Sequence, residues 1–552
     1  MIGRIQNQTW LGSVLSAFVV SLCAESESAL LASEPKPTGY VTVSENGNGK
    51  NHFKSIAEAL AALPSGGGTV LVKQGTYEGG FSMPAHTTLF GERAGVVTII
   101  IPNNPTAAGI IVAADGVTIR NVEIDGRRSI NTSPPEIRAQ CGIFIAGAHC
   151  LIDSVYLHDT VNYGISARST ADGLKVLNSR IENTATNPAG TPGWHLAGIF
   201  CHGTPRPQIA NNVIRGWAQA IGVWWGVSNA LVEGNQILDN YGFADAAHTI
   251  PRSAIEDYGA EVGNFNNRFV GNTVVGSTAM CFEIATGVIG SVYQGNRTEL
   301  PGSISDYGDH FSVNGSISQP TADIVIEGNR CVSTGERADS GVKISGKVDR
   351  TEIRENSFTG FTCPYLQGTV FIGGGDGVGT VLVENNTFTD GAFAIRVYSA
   401  EKGGVIRRNA IRNATRHAIL IESGDGYLVQ ENDIGGSSGA RGVTLAGGKG
   451  HQVIGNRIGV GFMGVLCMTE DNSIIGNTVE ETAPSYAGTV RLYGPNARRN
   501  DVRLNSITAA PDSRALLIDG GAEDNVFSNN TIVRGILTIA PDAGTNNSVQ
   551  TQ

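Results

Sequence analysis

The chain has 552 residues, a formal charge of −11, only 16 % charged residues, 41 % hydrophobic residues and 73 glycines. Regularly placed apolar residues at that level exclude a disordered polymer. The acidic balance argues against nucleic acid as a partner, since that needs clustered Lys and Arg, and leaves an acidic polymer only a local basic groove to bind.

Residues 1–26 have the plan of a signal peptide. Arg4 supplies the positive start, Trp10 to Cys23 the apolar stretch, and Ala24 and Ser26 the small residues for cleavage. The apolar stretch is short for a bilayer crossing. These features predict a secreted protein, extracellular or periplasmic, without a membrane span. Residues 27–78 form an N-terminal segment containing HFKSIAEALAALPSGGGTVLVKQGTYEG. Ser55 to Leu63 is expected to be a helix with Ile56, Leu60 and Leu63 on one face, stopped by Pro64 and Gly66–Gly68. A strand over Thr69–Lys73 follows.

From residue 79 to 552 the chain repeats. Asn recurs at 121, 178, 212, 235, 272, 296, 329, 356, 386, 409, 432, 456, 477, 505 and 530, in Gly-Asn or a close variant of it, mostly with an apolar residue two places later. The gaps from Asn386 to Asn477 are 23, 23, 24 and 21 residues; gaps of 34 after Asn178 and 37 after Asn235 carry insertions. A fixed period of this size means one unit stacked on itself. Each unit holds short β-rich runs between Gly, Asn and Asp, such as AIGVWW then NALVEGNQI. Three short strands per unit predict an all-β, single-domain, right-handed parallel β-helix with a short N-terminal capping helix. The repeated asparagines read as structural. Asn tolerates the left-handed backbone of a tight corner, and stacked Asn side chains can bond along the axis.

The helix, GGTV and GTY passage, followed by these repeats, resembles the opening of secreted β-helix proteins of the pectate-lyase-like superfamily. That resemblance implies a carbohydrate-active protein without fixing the reaction, because the superfamily includes lyases, hydrolases, epimerases, esterases and phage tailspikes.

Seven cysteines follow the leader, at 141, 150, 201, 281, 331, 363 and 467. The odd count leaves at least one free thiol, and the spacings match no zinc site. Cys201 and Cys281 are expected to fill the core, and a Cys141–Cys150 bridge is a candidate.

Aligning one strand of successive repeats by period two sends Ile199, Ile221, Ile255, Phe282 and Phe311 inward. One outward column then reads Phe144, Ser166, Phe200, Gly222, Glu256, Glu283, Ser312, Lys343, Phe371, Arg396. The next reads Ala146, Arg168, His202, Trp224, Tyr258, Ala285, Asn314, Ser345, Gly373, Tyr398. Glu256 and Glu283 on adjacent rungs offer the paired carboxyls of a glycosidase, spaced about 5 Å as in a retaining enzyme. Asp257 beside them is a third candidate catalytic carboxylate; strict alternation turns it inward, so a bulge must turn it out or it binds something in the core. Trp224, Trp225 and Tyr258 suit sugar rings, and Arg168, Lys343 and Arg396 suit anionic groups. The longest insertions, Asn187–His195, Tyr241–Arg252 and Leu300–His310, fall on the same repeats.

Within the second insertion, Tyr241, Gly242, Phe243, Asp245 and His248 resemble a loosened Tyr-Gly-Phe-Asp-Pro-His signature of mannuronan C5-epimerases, with Ala244 inserted and Ala246-Ala247 in place of Pro. The resemblance implies that Tyr241 and His248 surround a sugar. The motif sets of polygalacturonases, pectin methylesterases and chondroitinase-B-like alginate lyases do not occur.

The sequence therefore predicts an enzyme on a polysaccharide substrate. In the favoured reading it is a glycoside hydrolase with Glu256 and Glu283 catalytic. In the alternative, a lyase or C5-epimerase on a uronic-acid polymer, His202, His248 or Lys343 takes the proton while Arg168 or Arg396 neutralises the carboxylate. A non-catalytic sugar-binding adhesin is the other class. No organic cofactor or metal is expected; Ca²⁺ held between neighbouring Glu residues is the one candidate ion, and a homotrimer the candidate assembly.

Overall fold

Each sequence repeat folds into one coil of three short strands. The computed structural model describes residues 39–102, 108–127, 141–183, 197–240, 253–277, 280–300, 308–334, 340–362, 367–375, 377–437 and 439–551. The leader segment, His195, Tyr241, His248 and Cys363 lie outside them. A representative coil runs Tyr163–Ala167, Lys175–Leu177, Arg180–Glu182, and the next begins at Ala197–His202. Equivalent strands pair in parallel and in register, as Ile165 with Ile199, Val176 with Ile209 and Ile181 with Ile214. Three parallel sheets thus wrap one interior. Strand-to-parallel-strand connections are right-handed, and the chain is a right-handed parallel β-helix. The pairing extends back to Tyr40–Val43, which pairs with Gly68–Val72, so the N-terminal segment already contributes strands to the solenoid.

The helix spans Ile56–Ala61. Ser55 caps it: its Oγ accepts from Glu58 N at 3.2 Å, and the Glu58 carboxylate accepts from Ser55 N at 3.3 Å. Ile56, Ala59, Leu60 and Leu63 are buried, closing the first coil as the sequence predicts.

The asparagines form one continuous ladder. From Asn212 to Asn530 each side-chain Nδ2 donates to the Oδ1 of the next ladder Asn, as Asn235 to Asn272 at 3.0 Å and Asn432 to Asn456 at 2.9 Å. Each Oδ1 also accepts from the preceding ladder Asn's backbone N–H, as from Asn409 N to Asn432 at 3.0 Å. The stacking expectation holds, but the left-handed corner falls elsewhere. It is the residue before the ladder Asn that takes positive φ, as Gly234 (φ +62), Gly271 (φ +62) and Gly455 (φ +63), which explains the Gly-Asn pair. Asn121 and Asn178 occupy that corner themselves (φ 54 and 49), and Ser179, not Asn178, donates its N–H to Asn212. A second ladder, Asn472, Asn500, Asn525 and Asn547, lines another corner of the last coils.

The interior is apolar and holds stacked rings, Phe269 on Tyr293 at 4.7 Å and Phe282 on Phe311 at 4.8 Å. Cys201 and Cys281 fill it, as expected. The Cys141–Cys150 bridge does not form. All six described cysteines are free and buried, and Cys150 Sγ instead points at Gly147 O, 3.3 Å away.

Candidate active site

The sheet that begins each coil faces outward with three columns of side chains, not two. Both expected columns stand. Gly222, Glu256, Glu283, Ser312 and Lys343 are successive partners in one, and His202, Trp224 and Tyr258 in the other. The third column arises because alternation breaks at the start of the strand. Gly142, Gly164 and Gly198 occupy a position turned into the core, where an added Cβ on Gly142 would meet Leu157 at 2.4 Å and one on Gly198 would meet Ile214 at 2.9 Å. The residue before each then faces out, giving Cys141, Tyr163, Ala197 and Gln219, with Ser253 and Asp309 at the equivalent positions further on.

This third column orients the carboxylates of the first. Glu256 and Glu283 are direct partners on adjacent strands of one face. Glu256 is buried, 6 % exposed, and accepts a short hydrogen bond from Gln219 Nε2 on the preceding coil. Glu283 is half-buried and accepts from Ser253 Oγ at 3.2 Å, again from the preceding coil. Each carboxylate is therefore oriented by a neutral donor one rung below.

Beside the pair stands an aromatic wall. Tyr163 stacks on Phe200 at 5.0 Å, Phe200 meets Trp224 edge-on at 5.2 Å, and Trp224 meets Tyr258 at 5.2 Å. Trp225 belongs to the wall although alternation would turn it inward. Its φ of 56, unusual for a bulky residue, ends the strand and lays the ring 5.3 Å from Trp224 and 4.8 Å from His202. Trp224 is nearly sealed, 4 % exposed, while Trp225 and Tyr258 are half-buried and present ring area to the groove. Such rings offer sugar an apolar face with a polar edge.

His202 completes the cluster. Burial, helped by the Arg168 charge, holds it down to about 4. Arg168 Nη1 lies 3.1 Å from His202 Nδ1 and can only donate, so the neutral imidazole carries its proton on Nε2. In this state His202 presents a donor and not a base. Arg168 also lies over the Phe144 ring at 5.6 Å.

Other expected site residues are elsewhere. Asp257 is fully buried among core side chains and accepts from Asn264 (2.6 Å), Asn267 (3.1 Å), Ser291 Oγ (2.9 Å) and Tyr293 OH (2.9 Å). Burial pushes its carboxyl up. It touches no groove, which corrects its assignment as catalytic: strict alternation turns it inward, and core amides and hydroxyls satisfy it there. Lys343 stands two rungs beyond Glu283, its Nζ 3.6 Å from Asp309 Oδ2. Arg396 is four rungs beyond, about 19 Å at the spacing of strands, so it does not join the carboxylates. Tyr241 and His248 lie outside the described residues. Gln219, Ser253 and Tyr163 are additions that a period-two reading passes over; the small residue after each of Tyr163 and Gln219 was the available signal. Among the described residues no group of three His, Cys, Asp or Glu side chains forms a metal site.

A family described as right-handed beta helix region matches residues 303–458 and 368–532. Among solved structures, the catalytic domain of a GH87 alpha-1,3-glucanase is similar over 67 % of this chain and 68 % of its own, at 14 % identity and a TM-score of 0.47. An endo-xylogalacturonan hydrolase from Aspergillus tubingensis is similar over 58 % and 95 %, at 12 % identity and TM-score 0.42. PfbA, a surface adhesin of Streptococcus pneumoniae, is similar over 61 % and 88 %, at 15 % identity and TM-score 0.41. A sequence comparison with curated proteins gives no match. The family match concerns the fold and accords with the resemblance to pectate-lyase-like β-helices at that level.

Proposed function

We propose that the protein is a secreted carbohydrate-active enzyme that hydrolyses a polysaccharide at Glu256 and Glu283. The observation that carries the reading is the in-register pairing of these two carboxylates on one outer face, beside the wall of Trp224, Trp225 and Tyr258. Adjacent parallel strands lie about 4.8 Å apart, which suits the carboxyl separation of about 5–5.5 Å used by retaining glycosidases. One carboxyl protonates the departing glycosidic oxygen while the other attacks the anomeric carbon; water then releases the sugar, with the first carboxyl acting as base. Like charges this close favour one shared proton, which supplies the acid. Trp225 and Tyr258 hold the ring, and His202 donates from Nε2. The lyase and epimerase reading is weaker, because the His202 nitrogen facing Arg168 has its lone pair engaged.

The test incubates the protein with neutral and uronic-acid polysaccharides, following reducing ends and unsaturated product by absorbance. Reducing ends without absorbance, lost in Glu256→Gln and Glu283→Gln, are expected. Absorbance instead would make it a lyase. Silence on every polymer, with binding retained, would make it a sugar-binding protein.

A further inference from the structure

The three outward columns continue beyond the carboxylates, and their character changes over residues 393–462. In the third column Phe393, His417 and Arg441 are successive register partners. The His417 ring stacks on Phe393 at 5.5 Å with an interplanar angle of 5°. Arg441 Nη1 donates to His417 Nε2 at 3.1 Å, and its guanidinium lies over Phe462 at 5.4 Å. Arg416 is exposed and lies over the edge of the same stack, 5.9 Å from the Phe393 centroid; its carbonyl accepts from Arg441 N at 2.9 Å. Arg396 lies over Phe393 from the neighbouring column at 5.7 Å and pairs with Glu422 through Nε at 2.6 Å.

The charges do not cancel. Three arginines against one glutamate leave two positive charges in excess (three minus one), in a chain whose formal charge is −11. Among the described residues no carboxylate pairs with Arg416 or Arg441. His417 adds no charge of its own, because burial and the arginines Arg441, Arg396 and Arg416 hold it down to about 4. The Arg416 and Arg441 guanidiniums are positioned by ring faces and by an imidazole, none of which neutralises them. A planar guanidinium held this way keeps N–H edges for a bidentate acceptor such as a carboxylate or sulfate.

The geometry points to a second subsite here, on the same face as Glu256 and Glu283, which binds the acidic groups of a polysaccharide through Arg416 and Arg441. Glu283 and Arg396 are separated by four rungs, about 19 Å. A chain lying along the solenoid axis passes the aromatic wall, the carboxylates and then the arginines. The substrate class is therefore an acidic glycan, gripped away from the point of cleavage. The ligand's being a glycan rests on the proposed function; the selectivity for anions rests on the arginines alone.

The test measures the affinity of the whole protein for polygalacturonate, dextran sulfate and unmodified dextran by calorimetry, at low and high NaCl. Both acidic polymers are expected to bind more tightly than dextran, and salt to weaken them. The double variant Arg416→Ala/Arg441→Ala is expected to lose about ten- to a hundredfold in affinity for the acidic polymers, the scale of one or two charge-assisted hydrogen bonds, and nothing for dextran. Arg416→Glu, an exposed change that leaves the His417–Arg441 bond alone, is expected to reproduce the loss if the double variant unfolds. Equal affinity for dextran and the acidic polymers, or affinity indifferent to Arg416, would overturn the subsite. Glu256→Gln/Glu283→Gln separates the two ideas. Binding that depends on Arg416 without turnover of any polymer would remove the hydrolase and keep the subsite. Turnover of a neutral polymer with no role for Arg416 would do the reverse.

Discussion

The coils from Tyr163 to Glu283 and those from Phe393 to Phe462 share one backbone and differ in what they send outward. Each carries an Arg–His pair at 3.1 Å on an aromatic ring, Arg168 with His202 and Arg441 with His417. In the first region the companions are carboxylates held by Gln219 and Ser253. In the second they are further arginines. Meanwhile the Asn ladder from Asn212 to Asn530 runs unchanged behind the carboxylates and the arginines alike. The fold's hydrogen bonding is invariant along the axis, so chemistry can vary rung by rung on the outer face without altering the scaffold.

The widest separation between the regions is expected in activity. Glu256→Gln or Glu283→Gln should lower kcat by about a thousandfold or more, whereas Arg416→Ala should leave kcat at saturating substrate within a few-fold. Steady-state kinetics on whichever polymer the screen shows to be turned over decides this, and comparable kcat losses in both regions would merge them into one site. Next in size are changes behind the outer face. Asp257→Leu strips the acceptor from Asn264, Asn267, Ser291 and Tyr293 and should destabilise by about 3 kcal/mol. Asp257→Asn, which keeps an acceptor, should cost less; if thermal melts rank them the other way, the network is not what fixes this side chain.

The ladder sharpens the comparison from the opposite direction. Asn272→Ala and Asn432→Ala remove equivalent bonds behind the two regions and should each cost about 2 kcal/mol. A large difference in melting temperature would show that the scaffold is not uniform. The smallest effect is on pH. His202 and His417 are held to about 4 and His310 to about 3, all mainly by burial, against an unfolded value of about 6.5. Below pH 6.5 the unfolded chain binds protons that the folded chain refuses, so these residues make stability fall as pH drops from 6.5 toward 4. Asp257 and Glu481, raised by burial, act in the opposite sense: their contribution is present at low pH and lost as pH rises through their folded values. His417→Gln should flatten the melting-temperature slope between pH 6.5 and 4. An unaltered slope would mean that His417 protonates freely in the folded chain.

The recurrent Asn, the apolar residue two places later and the short β-rich runs were enough to read the solenoid, its period and its capping helix from sequence. A coil can bury its interior only against its neighbours, so the requirement is written into every repeat. The same periodicity placed Phe200, Glu256, Glu283 and Lys343 in one column and His202, Trp224 and Tyr258 in another, because parallel strands in register convert equal spacing into adjacency. Only the tertiary structure decided the rest. The break in alternation at Gly164, Gly198 and Ala220 turns Tyr163, Ala197 and Gln219 outward, and the positive φ of Trp225 brings its ring to the same face. Hydrogen bonds between coils decided that Glu256 answers to Gln219 and that Asp257 belongs to the core. Gln219 lies 37 residues from Glu256, and Ser291 and Tyr293 lie 34 and 36 residues from Asp257, and a local pattern holds no record of which partner lies one rung away.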